Sequence, residues 1–416
     1  MSARVERDPA ADTDSELADY FQDLFFSLRR SDQRRWAEVY LSGLLDGAGR
    51  RTIRHILGED GDDRVRQSLQ QFVSQSPWDP LPVRQATAAR VSTVLRPMAW
   101  TFEELPFIKH GRHSAAVDRQ YSRSLGRVAN CQLGLAASLV DETAAVPVAW
   151  RLMLPPSWER DSLRRRRAHV PAEEWHRPYW QHLLELVDEL CESWPVQPAP
   201  VVTTAHRAAE AEALLGALDD RRIPYVVEVH GDMRALPDAG HRRPGLPAAM
   251  APPEQVPRPV PLTVLLRSRE DRRQTVTWRD PCSGRIGRAQ FVVTPVRSGA
   301  ADDPMVGRRR VRRLLVADWP LGRLEPRTCW LTNMLDQRLP DLAALARTGA
   351  RSRQALDEMG HEVGLFDFEG RSFVGWHHHV TLAAAAYAFQ VVRQRSSAEA
   401  QFRGAGQSAP PHPYWE

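Results

Sequence analysis

Near Arg96 the apolar residues of this chain change period, and that change limits what it can fold into. From about Leu17 to Arg96 they recur three and four residues apart, the spacing of helices that bury one face. In SDQRRWAEVYLSGLLDG the recurring set is Trp36, Val39, Tyr40, Gly43 and Leu44, with Ser31 placed as an N-cap. In DRVRQSLQQFVSQSPWDP it is Val65, Leu69, Phe72 and Val73, and the run stops before Pro77. Short apolar runs then take over. VLRPMAWTF, NCQLGLAASLV and VPVAWRLMLP read as strands, with DETAA as the turn between the last two. WQHLLELVDELCESW reads as an amphipathic helix, PAPVVTT as a strand, AAEAEALLGALDDRR as a helix and IPYVVEV as a strand. Three strands followed by alternating units predict a mixed sheet with helices on its faces.

Beyond His230 the stretch GDMRALPDAGHRRPGLPAAMAPPEQVPRPVP is an irregular excursion. TVLLRSR, QTVTWRD, AQFVVTPV, RRLLVADW and TCWLTNM then read as strands of a β-rich insertion, and the chain is helical again after Leu339. The expected organisation is a disordered tail (1–16), a helical N-terminal domain (17–97), a first core segment (98–230), a proline-rich loop and β-rich insertion (231–338), a C-terminal helical part of the core (339–395) and a flexible tail (396–416).

At 416 residues, 42% hydrophobic and 26% charged, the chain can bury a sizeable soluble core. No apolar run reaches the roughly 18 residues of a membrane span. The start, MSARVERDPAADTDSE, lacks an apolar secretory region, which reads as a tail on a cytoplasmic protein. Cys131, Cys191, Cys282 and Cys329 are scattered, which argues against a zinc ribbon or disulfide framework and fits a reducing compartment. The net charge of +4 permits nucleic-acid binding without demanding it. Lys109 is the lone lysine, so the other basic residues are arginine, as a GC-rich genome would give.

Several blocks carry a resemblance. GLLDG, LGEDG, QQFVSQSPWD, RQYSRSLGRVANCQLG, WRLMLPPSW, IPYVVEV and GLFDFEGRSFVGWHHHVTLAAAAYAF run collinearly from about Trp36 to Phe389. Together they resemble bacterial insertion-sequence DDE transposases, in particular the insertion-sequence family numbered seven-zero-one, common in actinobacteria. The resemblance implies an RNase H-like α/β core with a helical N-terminal domain and a β-rich insertion before the last catalytic helix. It also implies a two-metal enzyme, in which three carboxylates hold two divalent ions at a phosphodiester. At all three carboxylate positions this sequence departs from the family. The family's Asp-Asp-Thr-Gly-Phe is Glu103-Glu104-Leu105-Pro106-Phe107 here, which sets Glu104 at the metal-binding Asp. The second Asp falls at Thr204 in VVTTAHR, and the third carboxylate falls near Arg353 in GARSRQALDEM. Glu358 survives at a position that is not a metal ligand in the family. A longer acid, a hydroxyl and a guanidinium imply loss of the two-metal chemistry, since magnesium demands hard oxygen ligands in tight geometry.

Two functional readings follow, beside a third in which the chain is the product of a decaying gene and has no function. One is a domesticated, catalytically inactive DNA-binding or regulatory protein whose partner is double-stranded DNA. Its candidate phosphate contacts are Arg164, Arg165, Arg166 and Arg167 in SLRRRRAHV, with Arg308, Arg309 and Arg310 opening a second run through Arg313. The alternative is a metal-independent enzyme of secondary metabolism, acting on a small-molecule substrate in the vacated pocket. Glu104, Glu103, His206 and Lys109 are then its acid/base candidates. No cofactor and no metal are expected under either reading, a membrane partner fits neither, and a homodimer is compatible with both. A bland account stands beside each candidate: a solvated strand end for the glutamates, a loop position for His206, folding or phosphate contact for Lys109, solvated loops for the arginine runs. His377, His378 and His379 lie consecutively on a helix, fan around its axis, and read as packing residues.

Overall fold

In the computed structural model the described residues are 9–46, 49–58, 61–238, 258–279, 285–298, 311–320 and 322–407. Five helices come first: α1 (Pro9–Phe25), α2 (Ser31–Asp46), α3 (Ile53–Ile56), α4 (Asp63–Gln75) and α5 (Pro80–Ser92). Asp62 and Asp79 cap α4 and α5 by accepting from the Arg64 and Leu81 amides at 2.8 and 2.9 Å. Next come β1 (Ala99–Ile108), β2 (Asp118–Ser122), β3 (Arg127–Val140), β4 (Ala145–Met153), α6 (Ser162–Arg167), α7 (Tyr179–Glu192), β5 (Val201–Ala205), α8 (Ala208–Asp220) and β6 (Tyr225–Val229). The insertion holds β7 (Arg234–Pro237), β8 (Val260–Pro261), α9 (Leu262–Arg267), β9 (Gln274–Arg279), β10 (Ile286–Ser298), β11 (Arg312–Asp318) and β12 (Thr328–Thr332). Two long helices, α10 (Leu339–Glu362) and α11 (Phe373–Gln407), follow.

The twelve strands form one sheet in the order β2-β3-β1-β5-β6-β12-β11-β10-β7-β8, with β4 on β3 and β9 on β10. β1 pairs antiparallel with β3 and parallel with β5, so the sheet is mixed. The insertion is not a separate layer: β12 pairs antiparallel with β6 and carries the core sheet onward. No described helix is long and apolar enough to cross a membrane.

Several elements differ from the sequence expectation. TVLLRSR holds a helix, α9, because Leu262 and Leu266, four apart, are both buried on one face. The edge strand β2, DRQYS, is too polar to show in an apolar pattern. β1 runs on through Pro106 to Ile108, which is tolerable where β5, paired only to Trp100–Phe102, no longer flanks it. Helix α1 begins at Pro9 and α11 continues to Gln407, so both enter segments expected to be tails.

The three histidines fasten the N-terminal helices to α11. Both ring nitrogens of His378 lie 2.9 Å from carbonyl oxygens, those of Val73 and Trp78, and its ring stacks on Trp78 at 3.8 Å. Tyr40 Oη lies 2.9 Å from His379 Nδ1, while His379 Nε2 lies 3.0 Å from the Leu365 carbonyl. His377 meets buried Arg84, which also donates to Thr381 Oγ1 at 2.7 Å and the Trp150 carbonyl at 3.0 Å.

Candidate functional site

Successive residues of a strand point to opposite faces, so Glu103 and Glu104 cannot share a pocket. Glu103 faces α10. Its Oε1 accepts from Arg353 Nη1 at 3.0 Å, with the Glu103 side chain 14% exposed and that of Arg353 51% exposed. Burial pushes the Glu103 carboxyl up to about 7; the Arg353 charge opposes this and the nearby Glu228 carboxylate adds to it. Thr203 Oγ1 lies 2.8 Å from Tyr179 Oη of α7, so the next residue, Thr204, points to the α10 face. Thr204 sits opposite Glu228 in the β5–β6 register and hydrogen-bonds its carboxyl, which burial also holds above the usual carboxylate range. One turn before Arg353 is Gly349, where a Cβ would come within 3.4 Å of Glu103 Oε1 and 3.5 Å of Arg353 Nη1. Glu103, Thr204, Glu228 and Arg353 therefore converge beneath α10.

Glu104 lies on the other face, 8% exposed, where it accepts from the Arg123 amide at 2.8 Å. Burial raises its pKa against the Arg123 charge. Arg123 also bonds Glu210 at 2.8 Å and lies 4.8 Å above the Tyr179 ring. Of the two glutamates, it is Glu103 that shares a face with Thr204 and Arg353. Placing Glu104 with them, as the motif alone suggested, is corrected by the strand register and by the position of α10.

His206 senses Arg123 and Glu210, and burial lowers its pKa; among the described residues no hydrogen bond joins it to Glu104. Lys109 is not part of either cluster. It lies past the end of β1, six residues on from Glu103 or about 20 Å of extended strand. There its Nζ donates to the Phe368 carbonyl at 2.6 Å, and burial lowers its pKa. Neither Glu228 nor Arg123 stood out in the sequence. Glu228 had a signal, being the one charged residue in the apolar run YVVEV.

The first arginine run divides by neighbour. Arg164 donates to the Arg112 carbonyl at 3.2 Å and the Val117 carbonyl at 2.5 Å, and stacks on Trp158 at 4.2 Å. Arg165 donates to the Pro171 and Glu174 carbonyls at 2.7 and 2.6 Å. Arg166 and Arg167 are exposed. Arg308, Arg309 and Arg310 lie outside the described residues, as does Cys282. The run's end is structural: Arg312 bonds Asp238 at 2.7 Å, and buried Arg313 bonds Asp219 at 2.7 Å.

The chemistry open to the Glu103 cluster follows from its donors. Two close divalent ions need several anionic oxygens. Here a guanidinium already occupies a Glu103 oxygen, the β5 position offers only a hydroxyl, and among the described residues no group of three His, Cys, Asp or Glu side chains could hold a metal. A two-metal centre does not fit these residues.

Among curated proteins none matches the chain. A family model described as DDE superfamily endonuclease matches residues 23–285, from the N-terminal helices through the six core strands and into the insertion. That match spans well over half of the chain, and the mixed sheet flanked by helices is consistent with it: the protein belongs to the DDE superfamily endonuclease family, with an RNase H-like mixed α/β fold.

Proposed function

We propose that this protein is a transposase derivative of the seven-zero-one type that has lost two-metal phosphodiester chemistry and serves as a domesticated DNA-binding or regulatory protein. The observation that carries the reading is the Arg353–Glu103 bond at the point where β1, β5 and α10 converge. A guanidinium there does part of what a metal does, because it presents positive charge to a phosphate oxygen. It does not do the rest. It cannot lower the pKa of a bound water or stabilise two oxygens of an in-line displacement. Phosphate can be held by such a site but not cleaved, and the holding requires no divalent ion.

Duplex DNA of about 25 base pairs is the probe, since it spans enough phosphates for a salt slope to be read. The protein should bind it equally in EDTA and in magnesium at matched ionic strength, and should neither nick nor join it with magnesium or manganese. Manganese titrated into the wild-type protein should give no binding heat at the cluster, while Thr204→Asp/Arg353→Glu, which restores acidic ligands beside Glu103 and Glu228, should bind it. Magnesium-dependent cleavage abolished by Glu103→Ala or Glu104→Ala would overturn the reading, as would failure to bind duplex DNA at low salt.

A further inference from the structure

On the far side of Lys109 from the Glu103 cluster, the loop after β1, the edge strand β2 and helix α6 surround a cleft of about 870 Å³. Arg112, Arg119, Arg164, Arg167 and Arg371 line it together with His113. Two acids line it as well. Asp118 accepts from Ser157 Oγ and from the Arg119 amide, and Asp161 caps α6 through the Arg164 amide at 2.9 Å. Among the described residues four of these arginines are unpaired, as some arginines elsewhere are, but here they meet at one cleft. Arg123, Arg177, Arg313 and Arg353 each hold a carboxylate. Among the described residues, Arg112, Arg119, Arg167 and Arg371 have neither an ion pair nor a side-chain hydrogen bond, and all four are exposed. Five guanidinium groups meet two carboxylates in this cleft, and the excess of like charge repels itself, so the convergence needs a cause.

The backbone beneath them is firmly built. The loop carbonyl of Gly111 accepts from Asn130 Nδ2 at 3.0 Å, that of Ala115 from Gln132 Nε2 at 2.6 Å, and that of Val117 from Trp158 Nε1 at 3.0 Å. The Ala115 amide donates to the Arg371 carbonyl at 2.8 Å, which ties the loop to the segment before α11. Arg164, stacked on Trp158 and bonded to the Arg112 and Val117 carbonyls, braces the same loop. Four free guanidinium forks are thus held on a rigid frame, and a planar fork matches phosphate oxygens in pairs.

We propose that this cleft binds closely spaced phosphate groups, supplied by one strand of a nucleic acid through Arg112, Arg119, Arg167 and Arg371, with Arg164 as a positioning residue. The cleft has the volume of a small-ligand site, so a strand's backbone enters it and a whole duplex does not. The proposal rests on the DNA-binding reading for the source of the phosphates. The same chemistry could come from a free nucleoside polyphosphate, so the test has an arm for each.

The variant is Arg112→Gln/Arg119→Gln/Arg371→Gln. All three side chains are exposed, and circular dichroism checks the fold. The control removes equal charge from connections elsewhere in the molecule, Arg29→Gln/Arg222→Gln/Arg269→Gln. Anisotropy with labelled duplex DNA should show the slope of log affinity against log salt becoming shallower by about 3 in the variant, close to one per phosphate contact, with at least about tenfold weaker binding near 0.1 M salt. The control should change both much less. If the wild-type protein binds duplex and the variant binds it identically, the cleft assignment is overturned while the DNA-binding reading stands. If the wild-type protein binds no duplex, yet inorganic tripolyphosphate raises its unfolding midpoint and not the variant's, the cleft is a site for free polyphosphate and the DNA-binding reading falls. Neither response in the wild-type protein overturns both.

Discussion

Glu103 shows how far a single residue could be read. That it and Glu104 must diverge follows from the pleat alone. Which of them meets the cluster does not, because Arg353 reaches Glu103 from 250 positions away and only the packing of α10 decides the face. The same holds for Thr204, whose place on β5 was legible but whose partnership with Glu228 was not. The burial of Glu103 has a thermodynamic signature. A carboxyl raised to about 7 in the fold binds its proton more tightly there than in the unfolded chain. Its contribution to stability is therefore fully present below about pH 4.5 and is lost as pH rises through about 7. Glu103→Gln removes that loss. Arg353, half exposed, can return to water. The variant should be more stable than the parent by about 1–3 kcal/mol at pH 8, with the difference vanishing near pH 4, as read by urea unfolding at several pH values. A variant less stable than the parent at pH 8 would show instead that the ion pair outweighs the burial of the carboxylate.

At the scale of elements, apolar period was a good guide where an element is long or fully buried and a poor one elsewhere. α7 and α8 and the buried strands β3, β5 and β6 could be seen in the sequence, whereas α9 has too few residues to show a helical period and β2 carries too little apolar surface. The histidine triplet was legible as packing, since three consecutive helical residues cannot meet at one ion. What it packs against was not, because Val73, Trp78 and Tyr40 come from other helices. Burial lowers His378 and His379 to about 4 each. Their neutral forms belong to the fold, so the stability they provide is present above about pH 6.5 and lost as pH falls through about 4. Each accounts for about 3 kcal/mol of acid sensitivity. His378→Asn keeps a donor for one carbonyl but gives up the ring stack on Trp78. It should cost about 2 kcal/mol at pH 7 and yet shrink the fall between pH 6.5 and 4 by that histidine's share. An unchanged acid-side fall would place the protons elsewhere in the fold.

For the whole molecule, the order of parts could be read from the chain but the continuity of the sheet could not. The β6–β12 pairing joins segments about a hundred residues apart, and nothing local in TCWLTNM announces a partner in IPYVVEV. That seam decides whether the insertion is an appendage or part of one cooperative body. Side chains reinforce it. Arg313 of β11, 3% exposed, bonds Asp219 of α8 at 2.7 Å, and Asn333, just past β12, donates to the Ile223 carbonyl at 2.9 Å. Asp219 is itself 11% exposed, so removing Arg313 strands a buried carboxylate. Arg313→Met should then cost about 3 kcal/mol or more, whereas Arg312→Ala, whose side chain is 55% exposed and whose partner Asp238 keeps Arg297, should cost less than about 1 kcal/mol. Hydrogen exchange tells where the loss is felt. In Arg313→Met the amides of β11, β12, β6 and α8 should lose protection together, since one sheet runs through all of them. Loosening confined to β11 and β12, with β6 and α8 unchanged, would mean that the insertion opens on its own and that the twelve strands do not act as one unit.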